Sequence, residues 1–177
     1  MSQMRDLLRR YILEQWEIDY CTGEWNSIAI ARRKPYTYRV WKEWEGNRIC
    51  LHEMQPCRWD ETRSHPHAWA AGIFVLDGIQ LHGMGLSSSQ KIKPREMPIE
   101  EIQGPHFYEM VHPWMFHKVA PQTVTFSIMI NSLDEYPNQH ELCIRTAGKK
   151  LPEMHPSDVQ GQLDRVAHLL EHASLKI

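Results

Sequence analysis

With 177 residues, and 20 lysines and arginines against 22 aspartates and glutamates, the chain carries a formal charge of only −2. A near-neutral chain with no basic stripe on either terminal segment has no field to gather phosphate backbones, so nucleic acid is not an expected partner. No run approaches eighteen consecutive apolar residues, so no membrane-spanning helix is expected, and the length suits a single domain over 1–177 that buries about two thirds of its unfolded surface.

Leu7, Leu8, Tyr11, Ile12 and Trp16 recur mostly at spacings of three and four before Gly23, which predicts an amphipathic helix over residues 3–19 lying across a sheet. Strand-like runs follow at 26–31, 36–44, 48–55, 68–77, 106–111, 116–120, 123–131 and 141–146. Turn signals at Gly46-Asn47, Asp77-Gly78, Pro121-Gln122 and Asn131-Ser132 break them. The stretch from Gly83 to Gln103 is interrupted by Pro94 and Pro98 and contains Ser87-Ser88-Ser89, so it reads as a loop with a short edge strand. Near the C-terminus Ser157 can cap a helix over 157–174, with Gln160 completing a capping box. Val159, Leu163, Val166, Leu170 and Ala173 form its apolar face, and Gln162, Arg165 and Glu171 its wet one. Short strands without crossover helices predict an all-β, antiparallel barrel or sandwich over about 26–147, flanked by the two helices.

Cys21, Cys50, Cys57 and Cys143 form neither a CxxC pair nor a secreted-domain framework, and the chain opens with no secretory hydrophobic segment. A cytoplasmic protein with free thiols is the expectation. Cys50 and Cys57 can meet only if the segment between them turns back.

The chemistry concentrates in histidines. His65 and His67 stand at i and i+2 around Pro66, so on an extended segment both imidazoles point to one side and can reach one metal. His117, within Phe116-His117-Lys118-Val119-Ala120, can supply a third ligand, with His112 beside Pro113 as its rival. His52 alternates with Cys50 and Met54 on one strand face and is a candidate fourth ligand or base. Tyr108 shares a face with His106 and can line the same pocket. Glu53 and Glu109 are candidates for a carboxylate ligand or for orienting an imidazole. Arg58 and Arg63 flank Trp59-Asp60-Glu61 just before the histidine pair, where a guanidinium can clamp a carboxylate. Each residue has an ordinary alternative: a solvated turn for the pair, a core histidine for His117, a salt-bridged loop for the arginines. No Gly-rich phosphate loop, GxSxG elbow or HExxH helix competes.

The run from His65 to Gly78 resembles the first motif of the cupin superfamily, in which HxH is followed by a glutamate and then a glycine. His65, His67 and Gly78 match, and Ala71 stands at the position of the glutamate. Met110 to Pro121 resembles the second motif with His117 as its histidine, although Trp114 occupies the place of the usual turn glycine. The resemblance covers about residues 36–146. It implies a cupin-like barrel holding Fe(II), or alternatively Mn, Ni or Zn, on His65, His67 and His117. A three-histidine centre is similar to that of thiol dioxygenases and some diketone-cleaving enzymes, but Ala71 cannot supply the cysteine that some of the former crosslink to tyrosine, and no Ser-His-Tyr run is present. The implied function is a mononuclear Fe(II) dioxygenase acting on a small polar, thiol or aromatic substrate, with His52, Arg63 and Tyr108 as catalytic candidates. Two alternatives stand beside it: a redox-neutral isomerase or hydrolase on the same ligands, and a non-enzymatic binding or assembly module whose degenerate site shows first at Ala71. Barrel faces and an amphipathic terminal helix offer apolar surface for a homodimer.

Overall fold

A computed structural model describes residues 3–88, 94–134, 136 and 151–173. The chain begins with α1 (Gln3–Arg10), a π-helical turn (Tyr11–Gln15) and α2 (Trp16–Thr22). Met4, Leu8, Tyr11, Trp16 and Asp19 are buried. Tyr11 and Trp16 are five residues apart, one more than an α-helical face accommodates, and the i→i+5 bonding of the π turn absorbs that residue so that both rings meet the sheet. The expected helix is therefore present and runs on to Thr22. Asp19 ties it down: its carboxylate accepts from Lys42 Nζ at 2.6 Å, Gln15 Nε2 at 2.9 Å and the Tyr11 hydroxyl at 3.0 Å.

Ten strands follow among the described residues: β1 (Asn26–Ile30), β2 (Thr37–Trp44), β3 (Asn47–Met54), β4 (His65–Pro66), β5 (Ala71–Asp77), β6 (Ile79–Leu86), β7 (Ile99–Gln103), β8 (His106–Met110), β9 (Met115–Pro121) and β10 (Thr125–Ser132). They form a six-stranded sheet in the order β1-β2-β3-β10-β5-β8 and a four-stranded sheet in the order β4-β9-β6-β7. Every pairing is antiparallel. This is the all-β, antiparallel architecture with flanking helices that the residues led us to expect.

The stretch after Gly78 differs from expectation. Two strands, β6 and β7, stand where a loop with a short edge strand was expected. Glycines lower strand propensity, but here they are required by close approach: a Cβ on Gly83 would lie 2.8 Å from the Trp59 ring, and one on Gly85 would lie 2.7 Å from the Glu96 carbonyl oxygen. Gly78, at φ 96°, lets the chain leave β5 in one sheet and enter β6 in the other.

The central strands of the six-stranded sheet, β3, β10 and β5, are buried on both faces. On the outer face Val40, Ile49, Leu51, Phe74, Leu76, Ile128 and Ile130 pack beneath α1, α2 and α3 (Pro156–His172). On the inner face Cys50, Ile73, Val75, Tyr108 and Met129 look toward the smaller sheet, with Ile102 of β7 against them. Strand alternation assigns neighbours in sequence to these opposite faces.

Two details of α3 correct the sequence expectation. His155, not Ser157, is the N-cap; its Nδ1 accepts from the Ser157 N–H at 3.3 Å, because Pro156 is already suited to the first helical position. Gln162 is not wet but 2% exposed, its Nε2 donating to the Tyr38 carbonyl at 3.3 Å and so joining α3 to β2. Cys50 and Cys57 do not meet; both are free thiols. The expected strand at 141–146 and Cys143 lie outside the described residues. Among the described residues, no helix is long and apolar enough to cross a membrane.

Candidate metal centre

β4 is only two residues long, and it pairs with β9 so that His65 stands directly opposite His117. His67 follows immediately. The Nε2 atoms of His65 and His117 are 3.1 Å apart, and those of His67 and His117 are 3.2 Å apart. Adjacent imidazoles bound about 2.1 Å from one ion, at tetrahedral or octahedral angles, place their nitrogens about 3.0–3.4 Å apart. The spacing fits a single metal. One ligand atom from each of the three residues lies within 4.8 Å of the others.

Burial keeps these rings neutral. It pulls His65 down to about 4 and His67 to about 3, with the charge of Arg39 adding to both, and it holds His117 well below the ordinary histidine value. A metal needs this lone-pair-bearing form. With its Nδ1 protonated, His65 donates to the Arg63 carbonyl at 3.3 Å and turns its Nε2 lone pair to the centre. The Nδ1 atoms of His67 and His117 are buried without a hydrogen-bond partner among the described residues. Three neutral imidazoles with converging lone pairs could hold a cation.

The other candidates are distributed around it. His52 lies on the inner face of β3, where its Nε2 accepts from Arg39 Nε at 2.8 Å and its Nδ1 is 3.5 Å from the Ser127 hydroxyl. That arrangement leaves it no lone pair for a metal or for a substrate proton. Tyr108 is buried on the inner face of β8, with its ring centroid 6.3 Å from that of His117. Ala71, at the motif's carboxylate position, is fully buried and adds no donor. Arg63 has an exposed side chain, and its contribution to the centre is the carbonyl bonded to His65. Arg58 pairs with Asp60 at 2.8 Å in solvent. His112 is exposed in the turn before β9, its Nδ1 accepting from the Trp114 N–H at 3.1 Å, and His106 is exposed on β8.

Neither glutamate joins the three histidines. Glu53 follows His52 in β3 and so faces the other way, accepting from Gln55 at 2.8 Å. Glu109 lies near Arg5 of α1, and burial raises its carboxyl above the usual range.

With no motif around it, His82 reads in the sequence as a surface or helix residue, which its burial overturns, while Gln80 and Arg39 draw no attention there. His82 is fully buried on β6, with its ring 4.4 Å from Tyr108 and 5.6 Å from His117, and burial pulls it down to about 4. Gln80 lies near Tyr108 on the same strand face, and neither its amide nor the His82 nitrogens have a hydrogen-bond partner among the described residues. Alternation from a strand at 79–86 would have brought out both, had the glycines not hidden that strand. A second cluster, His168, Glu171 and His172, is exposed on α3 and distant in sequence from the motifs.

No family model and no curated protein matches the sequence. Among solved structures the chain is similar to Fe(II) HppE, at 13% identity and a TM-score of 0.49, over 61% of this chain and 56% of that one. It is also similar to hydroxypropylphosphonic acid epoxidase from S. wedmorenis, at 9% identity and a TM-score of 0.48, over 62% and 56%. CapF bound to the inhibitor 3-isopropenyl-tropolone follows at 14% and 0.44, over 64% and 32%. The matched region spans little more than half of the first two proteins.

Proposed function

We propose that this protein is a mononuclear metal-dependent oxidoreductase, an Fe(II) dioxygenase acting on a small substrate, with His65, His67 and His117 as ligands. The observation that carries the reading is the convergence of three neutral Nε2 atoms at 3.1 and 3.2 Å. Iron held there by three residues would supply redox chemistry and open positions for substrate and dioxygen. The chain's own part is to fix geometry and exclude water. The Arg63 carbonyl orients His65, while Tyr108, Ile73, Cys50 and Met129 form a buried wall over the inner face. Tyr108 keeps its proton, because burial raises its phenol, and so can donate but not act as a base near neutral pH.

Anaerobic loading with Fe(II), elemental analysis and oxygen uptake over a panel of small thiols, diketones and aromatic acids tests the proposal. One iron per chain with substrate-dependent oxygen consumption is expected. Iron without oxygen consumption would favour redox-neutral chemistry on the same ligands. Ala71 favours a second reading, a binding module with a degenerate site. A melting temperature unmoved by Fe(II), Mn, Ni or Zn would select it.

A further inference from the structure

We infer that Arg39 is an anion-receiving residue beside the three-histidine centre, and that the substrate carries an oxyanion, a carboxylate or a phosphonate, which its guanidinium binds. This deepens the metal-enzyme reading and rests on it for the position of the reacting centre.

Arg39 sits on β2, directly opposite His52 of β3, which in turn stands opposite Ser127 of β10. The neighbouring Val40 belongs to the core beneath the helices, so Arg39 projects the other way, toward the inner face that carries Trp41, Cys50 and His52. A half-buried guanidinium on a lining of apolar residues and neutral imidazoles is costly to place unless an anion meets it.

Among the described residues, no carboxylate does. The acidic groups nearest in sequence or in the sheet are engaged elsewhere: Asp19 with Lys42, Glu43 with Arg48, and Glu53 with Gln55. Among the described residues, the hydrogen bond that Arg39 makes runs from its Nε to His52, at 2.8 Å. It fixes the plane of the guanidinium and leaves the two terminal nitrogens as a parallel pair of donors. That edge matches two oxygens of a carboxylate or phosphonate.

The inner face that carries Arg39 and His52 is the one turned toward the smaller sheet, where β4 and β9 hold His65 opposite His117. His52 thereby acquires a role: it is a positioning residue for Arg39, with Ser127 behind it. An anion held by Arg39 would bring the rest of the molecule to the centre in one orientation, the proximity contribution that a clamp distant from the reacting atoms makes.

The test follows binding rather than turnover. Oxalate, methylphosphonate and neutral oxamide are titrated calorimetrically into chelator-treated protein and into Co(II)-loaded protein, in buffer free of other oxyanions. Wild type should bind at least one anion without metal and should not bind oxamide, and the tighter anion identifies the group on the substrate. Arg39→Met should weaken anion binding about tenfold or more, and Arg39→Lys by less, since the charge stays while the paired donors are lost. His52→Phe, which removes the acceptor for Nε, should weaken it by a smaller factor still. All three should retain the wild-type metal stoichiometry, and Arg39→Lys decides the matter if Arg39→Met fails to fold. Equal anion affinity in wild type and the Arg39 variants, oxamide binding as well as oxalate, or no anion binding by wild type would each overturn the inference. Metal uptake with anion binding independent of Arg39 leaves the metal reading standing alone. Arg39-dependent anion binding in a protein that takes up no metal sinks the metal reading instead.

Discussion

Acid should destabilise the metal-free protein steeply, in a window set by its buried histidines. An unfolded histidine takes a proton near 6.5, whereas in the fold burial moves His65 and His82 down to about 4 and His67 to about 3. Below the unfolded value the denatured chain binds protons that the native chain refuses, so stability is full above about pH 6.5 and is lost as the pH falls toward the folded values. At about pH 5.5 each such ring costs about 1.4 kcal/mol, one pH unit below the unfolded value. These three rings alone would cost about 4 kcal/mol, reduced to about 3 because those of His65 and His67 are partly exposed to solvent, and His52 and His117, held down by burial as well, add to the loss. Against a total stability of about 5–15 kcal/mol this is a large loss. Urea unfolding of chelator-treated protein at a series of pH values reads it directly. His82→Leu should recover about 1 kcal/mol of the loss at about pH 5.5, since it removes one fully buried titrating ring. A stability that stays level from about pH 7.5 to about pH 5.5 would show that these rings are not held neutral by burial, and the electrostatic account of the centre would fall.

Removing any of His65, His67 or His117 as alanine should abolish stoichiometric metal uptake, while His112→Ala keeps it; elemental analysis is best done in a His168→Ala, His172→Ala background, so that the exposed cluster on α3 adds no background metal. Asp19→Ala should cost about 3–5 kcal/mol in chemical denaturation, because Lys42 loses its half of a buried ion pair and Tyr11 its acceptor. Gly83→Ala should cost about 1–3 kcal/mol, since the new Cβ would meet the Trp59 ring at 2.8 Å. It should also weaken metal uptake, as Trp59 begins the segment that leads into β4; wild-type affinity in a destabilised variant would show the two to be uncoupled.

That His65 and His67 converge was legible because HxH on an extended segment needs only the two-residue period of a strand, and the pair obeys it. His117 came from the second motif, and its register against His65 is a tertiary fact that no local pattern carries. Arg39 stayed hidden for a different reason. In Thr37-Tyr38-Arg39-Val40-Trp41 the alternation is visible, but both sets mix polar and apolar residues, so alternation alone cannot say which set looks into the pocket. Gln162 misled in the same way: a polar residue at a wet helical position turned out to be the donor that anchors the helix to Tyr38. The strand at 79–86 was concealed by Gly83 and Gly85, whose poor strand propensity is outweighed by the close packing of Trp59 and Glu96 against them.

In the six-stranded sheet, strand length behaves as a reading frame. Deleting one residue early in β3 would hand the position of Leu51 to His52 and that of His52 to Glu53, burying an imidazole beneath the helices and setting a carboxylate next to Arg39. Through the paired registers of β2 and β10 such a slip would either propagate or break the sheet. Insertions and deletions are therefore confined to corners such as Glu45-Gly46, where positive φ angles of 46° and 72° already turn the chain back. The pocket can be remodelled by exchanging side chains, but not by shifting them along the strand.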